Sequence, residues 1–277
     1  MDTDFPPFPF TSASAPCTRA RLRKAIESRE LIRPFRGTYL RADVELTEIT
    51  RAQVAALVLG HTSVLCDRTA AWVLGVDAMK YAELDRPLPL ESCVLRGHEP
   101  TERPGVLGRT RDLRKEDVME IGGVRVTTPV RTAADLLCLL PRRQALAAAD
   151  ALMREHAFTV ADLRRLLVRY FRRRGVVQAR NLAPLVDGRS ESSGESWARI
   201  AIIDHGLVAP VPQYWVIAEG EAIYRLDLAY PHCQDRRRVR RRGVPHQSRR
   251  PPPGRAASNL AGGARLARDR PDQVVVR

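Results

Sequence analysis

Residues Arg189–Pro231 run RSESSGESWARIAIIDHGLVAPVPQYWVIAEGEAIYRLDLAYP. Glu195 opens an apolar segment in which Trp197, Ile200, Ala201 and Ile203 recur about one helical turn apart. Gly206 follows the last periodic residue and is the natural stop for such a helix. Two strand-like runs come next, Gln213–Ala218 and Ala222–Tyr230, split by Glu219-Gly220-Glu221, the pattern of a hairpin. A helix feeding a hairpin places this part of the chain in the α+β class. Asp227 stands between Leu226 and Leu228, and a carboxylate in an apolar strand is costly unless it finds a partner.

The segments Gly194-Glu195-Ser196-Trp197 and Leu226-Asp227-Leu228-Ala229-Tyr230-Pro231 resemble the core of the very-short-patch-repair-like (Vsr-like) endonucleases, which have the restriction-endonuclease fold. The resemblance implies catalytic and Mg²⁺-binding roles for Glu195 and Asp227. Hard oxygen ligands suit Mg²⁺, and phosphodiester cleavage needs an activated water and a shielded leaving group. In that family an E-x-D on the next strand completes the cluster. Here the chain continues instead as Asp235 followed by arginines. The site read from sequence is therefore incomplete, in a partial nuclease-like α/β domain over 190–235.

Residues 236–277 hold 13 Arg against 2 Asp, which is +11 of the net +14. Pro251–Pro253 and Gly262-Gly263 break periodicity, so 236–277 reads as a disordered basic tail. Only +3 is left for residues 1–235, and the overall charge is no proof of nucleic-acid binding. The five cysteines are scattered and form no C-x-x-C pair, which excludes zinc-ribbon spacing and a disulfide framework and points to a reducing cytoplasm. Residues 1–16 lack the basic and apolar regions of a signal peptide. No apolar run approaches a membrane span, so no membrane partner is expected.

From the N-terminus, residues 1–17 read as a loose arm rich in Pro, Phe and Ser. Thr18 caps a basic helix over 19–29, and alternating apolar residues around Arg36-Gly37 read as a two-stranded wing. Helix then wing is the pattern of a winged helix-turn-helix, here over residues 1–46. The candidate DNA contacts are Arg19, Arg21, Arg23 and Lys24 on the helix with Arg33 and Arg36 on the wing. A helix–hairpin cap with solvated arginines is the plain structural alternative.

The order of basic helix, RGTYL and helical domain resembles the AbiEi-type antitoxins of type IV toxin–antitoxin systems, in the form found in actinobacteria. The resemblance implies binding of double-stranded promoter DNA and a cognate toxin as partner. It extends through residues 47–180, an antitoxin-like middle domain. There Thr47–Leu59 and TAAWVLGV read as helices, and LPLESCVL, GVLGRTRDL and GVRVTTPV as strands. VTTPVRTAADLL is similar to the family signature T-x-x-R-T-x-x-D-L. Thr128 and Pro129 open its helix, and Arg131 and Asp135 share one helix face as a structural pair. Arg142–His156 is a further helix, and Thr159 with Asp162 caps another over 160–171. The basic run of Arg164, Arg165, Arg169 and Arg172–Arg174 suits either DNA phosphates or a solvated face. Gly175–Ser193 reads as a polar linker.

The expected fold is thus α+β: a winged-helix-like N-terminus, a helical and β middle domain, an incomplete restriction-endonuclease-like C-terminal domain and a basic tail. The expected function is a DNA-binding regulator of antitoxin type with a degenerate endonuclease-like domain and no enzymatic activity as written. The alternatives are an active Mg²⁺-dependent DNA endonuclease and a structural or partner-binding protein.

The arginine run has a specific explanation. Arg codons read one nucleotide later encode Ala, Val, Asp, Gly or Glu. In that frame Asp235, Arg238, Val239 and Arg240 can become Ile, Glu, Tyr and Asp, and Val244-Pro245 can become Phe-His. The frame permits I-A-V-E-Y-D-G-E-E-F-H, a strand carrying the missing E-x-D. Sequencing the coding DNA around Cys233 is expected to show this strand in the shifted frame; its absence there ends the frameshift explanation.

Overall fold

A computed structural model of the chain describes residues 5–60, 62–78, 89–218, 221–232 and 274–276. The chain divides into two compact units, Met1–Ala209 and Pro210–Arg277.

The first unit begins with strand β1 (Phe10–Thr11), helix α1 (Arg19–Glu27) and strands β2 (Leu31–Ile32) and β3 (Thr38–Arg41). Thr18 caps α1 by accepting a hydrogen bond from the backbone N–H of Arg21 at 3.3 Å. The helix stops where Arg29 turns into the left-handed region at φ 57°. β2 and β3 form the expected antiparallel hairpin, with Leu31 opposite Arg41 and Ile32 opposite Leu40. β1 pairs with the other edge of β3. This corrects the reading of residues 5–17 as a loose arm. Phe5 and Phe10 are buried with Leu22, Ala25 and Leu31 in a small core, because a nine-residue helix cannot bury its apolar stripe against one short hairpin alone.

Helix α2 (Glu48–Ala56) leads to a five-stranded sheet. Its strands are β4 (Val64–Leu65), β5 (Leu90–Leu95), β6 (Val106–Arg111), β7 (Val118–Ile121) and β8 (Val124–Thr127), in the order β6-β5-β4-β8-β7. β5 runs parallel to β6 and β4 parallel to β8, whereas β4–β5 and β7–β8 are antiparallel. β7 was not foreseen; it turns at Gly122-Gly123, both at positive φ, into β8. Leu65, Leu90, Ile121 and Val126 share the main core with helices α3 (Asp67–Val73) and α4 (Pro129–Leu139). The N-terminal hairpin joins this core through Phe35, whose ring meets Trp72 edge-on at 5.1 Å.

Helices α5 (Arg142–His156) and α6 (Val160–Val168) follow, the latter with the expected Thr159–Asp162 capping box. Next come α7 (Val176–Leu182) and α8 (Ser193–Asp204). The polar linker expected over 175–193 therefore contains a helix, and Val176, Ala179, Leu182, Ala183 and Val186 are buried in the main core. Apolar spacing over seven residues is too brief to stand out among its polar neighbours.

The sequence reading set a new domain at residue 190, but α8 packs within the first unit. The reason is a buried carboxylate. Asp150 of α5 accepts from the Asp187 N–H (2.8 Å), the Ser196 hydroxyl (2.7 Å) and the Arg199 guanidinium (2.6 Å). Arg199 also donates to the Leu185 carbonyl. One charge thus ties α5, the 183–190 turn and α8 together.

In the second unit β9 (Val211–Ala218) pairs antiparallel with β10 (Glu221–Ala229), close to the expected hairpin. β11 (Val274–Val276) lies parallel to β9 on the other side, leaving β10 at the sheet edge. The rest of the 236–277 segment, for which disorder was expected, lies outside the described residues, as does Cys233. Among the described residues no helix is long and apolar enough to cross a membrane.

Replacing Arg199 with Met leaves Asp150 buried without its charge partner. The expected loss is about 3–5 kcal/mol of unfolding free energy, read by urea denaturation. A change below ~1 kcal/mol contradicts the role given to this pair.

Candidate functional site

Two polar constellations stand out in the first unit, one on its surface and one inside. The surface one is α1. Leu22 and Ala25 face the small core, while Arg19, at the start of the helix, and Arg23 and Lys24, on the far side, are exposed. Arg33 and Arg36 are exposed in the β2–β3 turn, around the buried Phe35. The Arg36 side chain lies so near Gly105 that a Cβ there would come within 3.1 Å of it. Arg21 differs from the others. It donates twice to Glu30, at 2.9 and 2.8 Å, and stacks over the Phe5 ring at 4.8 Å. That hydrogen bonding holds the Glu30 carboxyl below its ordinary range. Of the six basic residues singled out from sequence, five face solvent and Arg21 is engaged in fastening α1 to the hairpin. The element order also differs from a helix-turn-helix, since strand β1 rather than a helix precedes α1.

The internal constellation is built on the signature Thr128–Leu136. Pro129 occupies the first turn of α4 as expected, but the Thr128 hydroxyl makes no cap and finds no partner among the described residues. The helix start is held instead by the Thr132 hydroxyl, which bonds the Thr127 hydroxyl and carbonyl. Arg131 and Asp135 pair as expected at 3.0 Å and are buried, not solvated. Asp135 also accepts from Arg111 of β6 (2.5 Å), from Arg173 (2.7 Å) and from the Tyr170 hydroxyl. Arg131 reaches Asp117 at 3.1 Å, and Arg169 closes on the same carboxylate at 2.6 Å. Arg111 bonds Asp67 at 2.5 Å from its other nitrogen.

Burial works against the Arg111 and Arg131 cations, but Asp135 with Asp67 or Asp117 overcomes it and raises both pKa values. Burial likewise raises the Tyr170 hydroxyl, which remains a donor, and pushes the neighbouring Cys138 thiol up to about 11. The sequence reading found only Arg131 and Asp135. Arg111, Asp117 and the 169–175 turn that carries Tyr170 and Arg173 are far apart in sequence from one another or from α4, and no short-range spacing marks them. Most of its charges are matched inside the fold, with Asp67 Oδ1 left without a partner among the described residues and the Cys66 thiol donating to the other Asp67 oxygen; such a network is suited to positioning elements.

The nuclease-like candidates are placed differently. Glu195 sits in the first turn of α8, where its carboxylate accepts from the Glu191 N–H and the Ser192 hydroxyl, both at 2.9 Å. It thereby satisfies the start of the helix. Asp227 belongs to the second unit and is exposed on β10, so the desolvation cost anticipated for a carboxylate between Leu226 and Leu228 does not arise. Among the described residues no group of three or more His, Cys, Asp or Glu side chains could hold a metal ion.

Residues 63–187 match the family described as the AbiEi antitoxin C-terminal domain. That range runs from β4 through α7 and contains the whole Arg–Asp network. Two proteins of Mycobacterium tuberculosis, Rv2248 of strain H37Rv and MT2308 of strain CDC 1551, both described as uncharacterized, are each 30% identical over 214 residues, covering 77% of this chain and 75% of theirs. Residues 63–187 are thus an AbiEi antitoxin C-terminal domain, and the chain belongs to one family with these two mycobacterial proteins, matched over three quarters of their length.

Proposed function

We propose that this protein is a DNA-binding regulator of antitoxin type, working in the cytoplasm. The observation that carries the reading is the α1 surface: Arg19, Arg23 and Lys24 face solvent on a helix whose apolar side is locked into a core. Arg33 and Arg36 extend the positive surface onto the adjoining hairpin. Such a face neutralises phosphates on duplex DNA, while the fixed hairpin sets its register along the backbone. The family of the middle domain supports the same reading, and a cognate toxin is the second partner it suggests. In this reading the Glu195 and Asp227 segments are the remains of an endonuclease-like domain, cut short by the altered frame after Cys233.

The gene's own upstream DNA is expected to shift the protein in a gel at fixed salt, in preference to unrelated duplex. The triple variant Arg19→Ala, Arg23→Ala, Lys24→Ala is expected to weaken binding and to lower the salt slope by about 2–3 units. These side chains are exposed, so the fold should be retained. Binding without sequence preference, or an unchanged slope, overturns the regulator reading. A plasmid-nicking assay addresses the endonuclease alternative. No Mg²⁺-dependent nicking is expected of this chain, and nicking that Asp227→Asn abolishes would make it a working nuclease.

A further inference from the structure

We propose that the α6–α7 corner is a docking surface for another protein, and that it receives an acidic, amphipathic helical segment. Phe171, Val168 and Val177 are the most exposed large apolar side chains of the described residues, at 81, 78 and 70%. They fall within ten positions of one another and flank a cleft of about 280 Å³ lined by Arg164, Leu167, Val168, Arg180 and Ala183. Monomers seldom leave such residues clustered in water without use.

The corner is held rigid from beneath. Tyr170 and Arg173, on either side of Phe171-Arg172, both anchor to the buried Asp135. Arg173 also lies over the Tyr170 ring at 4.5 Å. Gly175 presses on α4 so closely that a Cβ would stand 2.0 Å from the Cys138 carbonyl. Arg180 donates to the Leu167 carbonyl at 3.1 Å, joining α7 to the end of α6. Between these anchors Arg172 takes a left-handed conformation at φ 52°, uncommon for a residue other than glycine, and Phe171 projects outward. A ring fixed in solvent by its neighbours' anchoring is preorganised for a partner, and ordering it costs little on binding.

Charge selects the partner. Residues 160–184 contain seven arginines and one aspartate. Arg169 and Arg173 are held by Asp117 and Asp135, and Arg165 by Asp162. Arg164, Arg172, Arg174 and Arg180 are exposed around the apolar side chains. A second copy of this basic surface would be repelled, and so would the arginine-rich 236–277 segment. Nucleic acid would use the arginines but would leave Val168 and Phe171 without apolar contact from the phosphate backbone. An acidic helix with an apolar stripe satisfies both parts of the surface.

The test uses the full chain and fluorescence anisotropy near physiological salt. The probe is a labelled peptide of about 18 residues, five helical turns, with Leu at helical spacing on a Glu background. Polyglutamate of equal length and an unrelated duplex serve as competitors. The amphipathic peptide is expected to bind. Val168→Ser with Phe171→Ser should weaken it by about tenfold or more, as should Arg164→Glu with Arg174→Glu. The Arg19→Ala, Arg23→Ala, Lys24→Ala variant should bind it as the parent chain does. Failure of the peptide to bind, equal affinity for polyglutamate, displacement by the duplex, or indifference to the Val168 and Phe171 changes each overturns the proposal.

Discussion

A single buried carboxylate, Asp135, organises the first unit. It is wholly inaccessible and accepts from Arg131 on its own helix, Arg111 on β6, Tyr170 at the end of α6 and Arg173 in the turn before α7. A charge in that position is tolerable only with its full set of donors, and those donors come from three separate segments. The geometry of the sheet edge, α4 and the α6–α7 turn is therefore specified together. Asp117 and Asp67 extend the arrangement by sharing Arg131 and Arg111 with Asp135. The stretch Thr128–Leu136 is in this light an architectural element. Its arginine and aspartate are the centre of the network, and its second threonine replaces the first as the residue that secures the helix start.

The arginines of this chain accordingly do two kinds of work. Those inside are matched to aspartates at 2.5–3.1 Å and shielded from salt. Those outside, on α1 and at the α6–α7 corner, are sensitive to ionic strength and available to partners. Net charge mixes the two. The +14 of the whole chain reflects mainly a segment outside the described residues, whereas the two surface clusters are defined by what lies opposite them. On α1 a buried stripe of Leu22 and Ala25 leaves Arg19, Arg23 and Lys24 exposed. At the corner Leu163, Leu166 and Leu167 do the same for Arg164 and Val168.

Legibility in the sequence followed the range of the interaction. Features set within a few residues were readable: the Thr18 cap, the Thr159–Asp162 box, the Arg131–Asp135 pair, the helix over 142–156 and the hairpin after Gly206. Features set by distant partners were not. The N-terminal arm looked loose because the residues that bury Phe5 and Phe10 lie beyond Thr18. Gly175–Ser193 looked like a linker because Asp187 and Ser190 find partners on α5, some 36 residues earlier. Of the six candidate DNA contacts five are exposed, and Arg21 is drawn to Glu30, nine positions away.

Glu195 shows how one pattern can satisfy two descriptions. Ser192 and Glu195 have the spacing of a capping pair, and the Ser192 hydroxyl both accepts from the Glu195 N–H at 3.2 Å and donates to its carboxylate. A glutamate three residues after a serine, ahead of an apolar helix, is therefore accounted for by helix termination alone. The same glutamate stands where the nuclease resemblance places its first acid, so its presence does not discriminate between the two. Asp227 discriminates no better, because a charged side chain on an edge strand guards the open edge against pairing with another chain. Its neighbours Ile223, Tyr224 and Leu226 are also exposed on β10, so a charge among them keeps an apolar edge from being a bare one. Both acids are thus accounted for by local structure, Glu195 by the helix it begins and Asp227 by the strand edge it occupies.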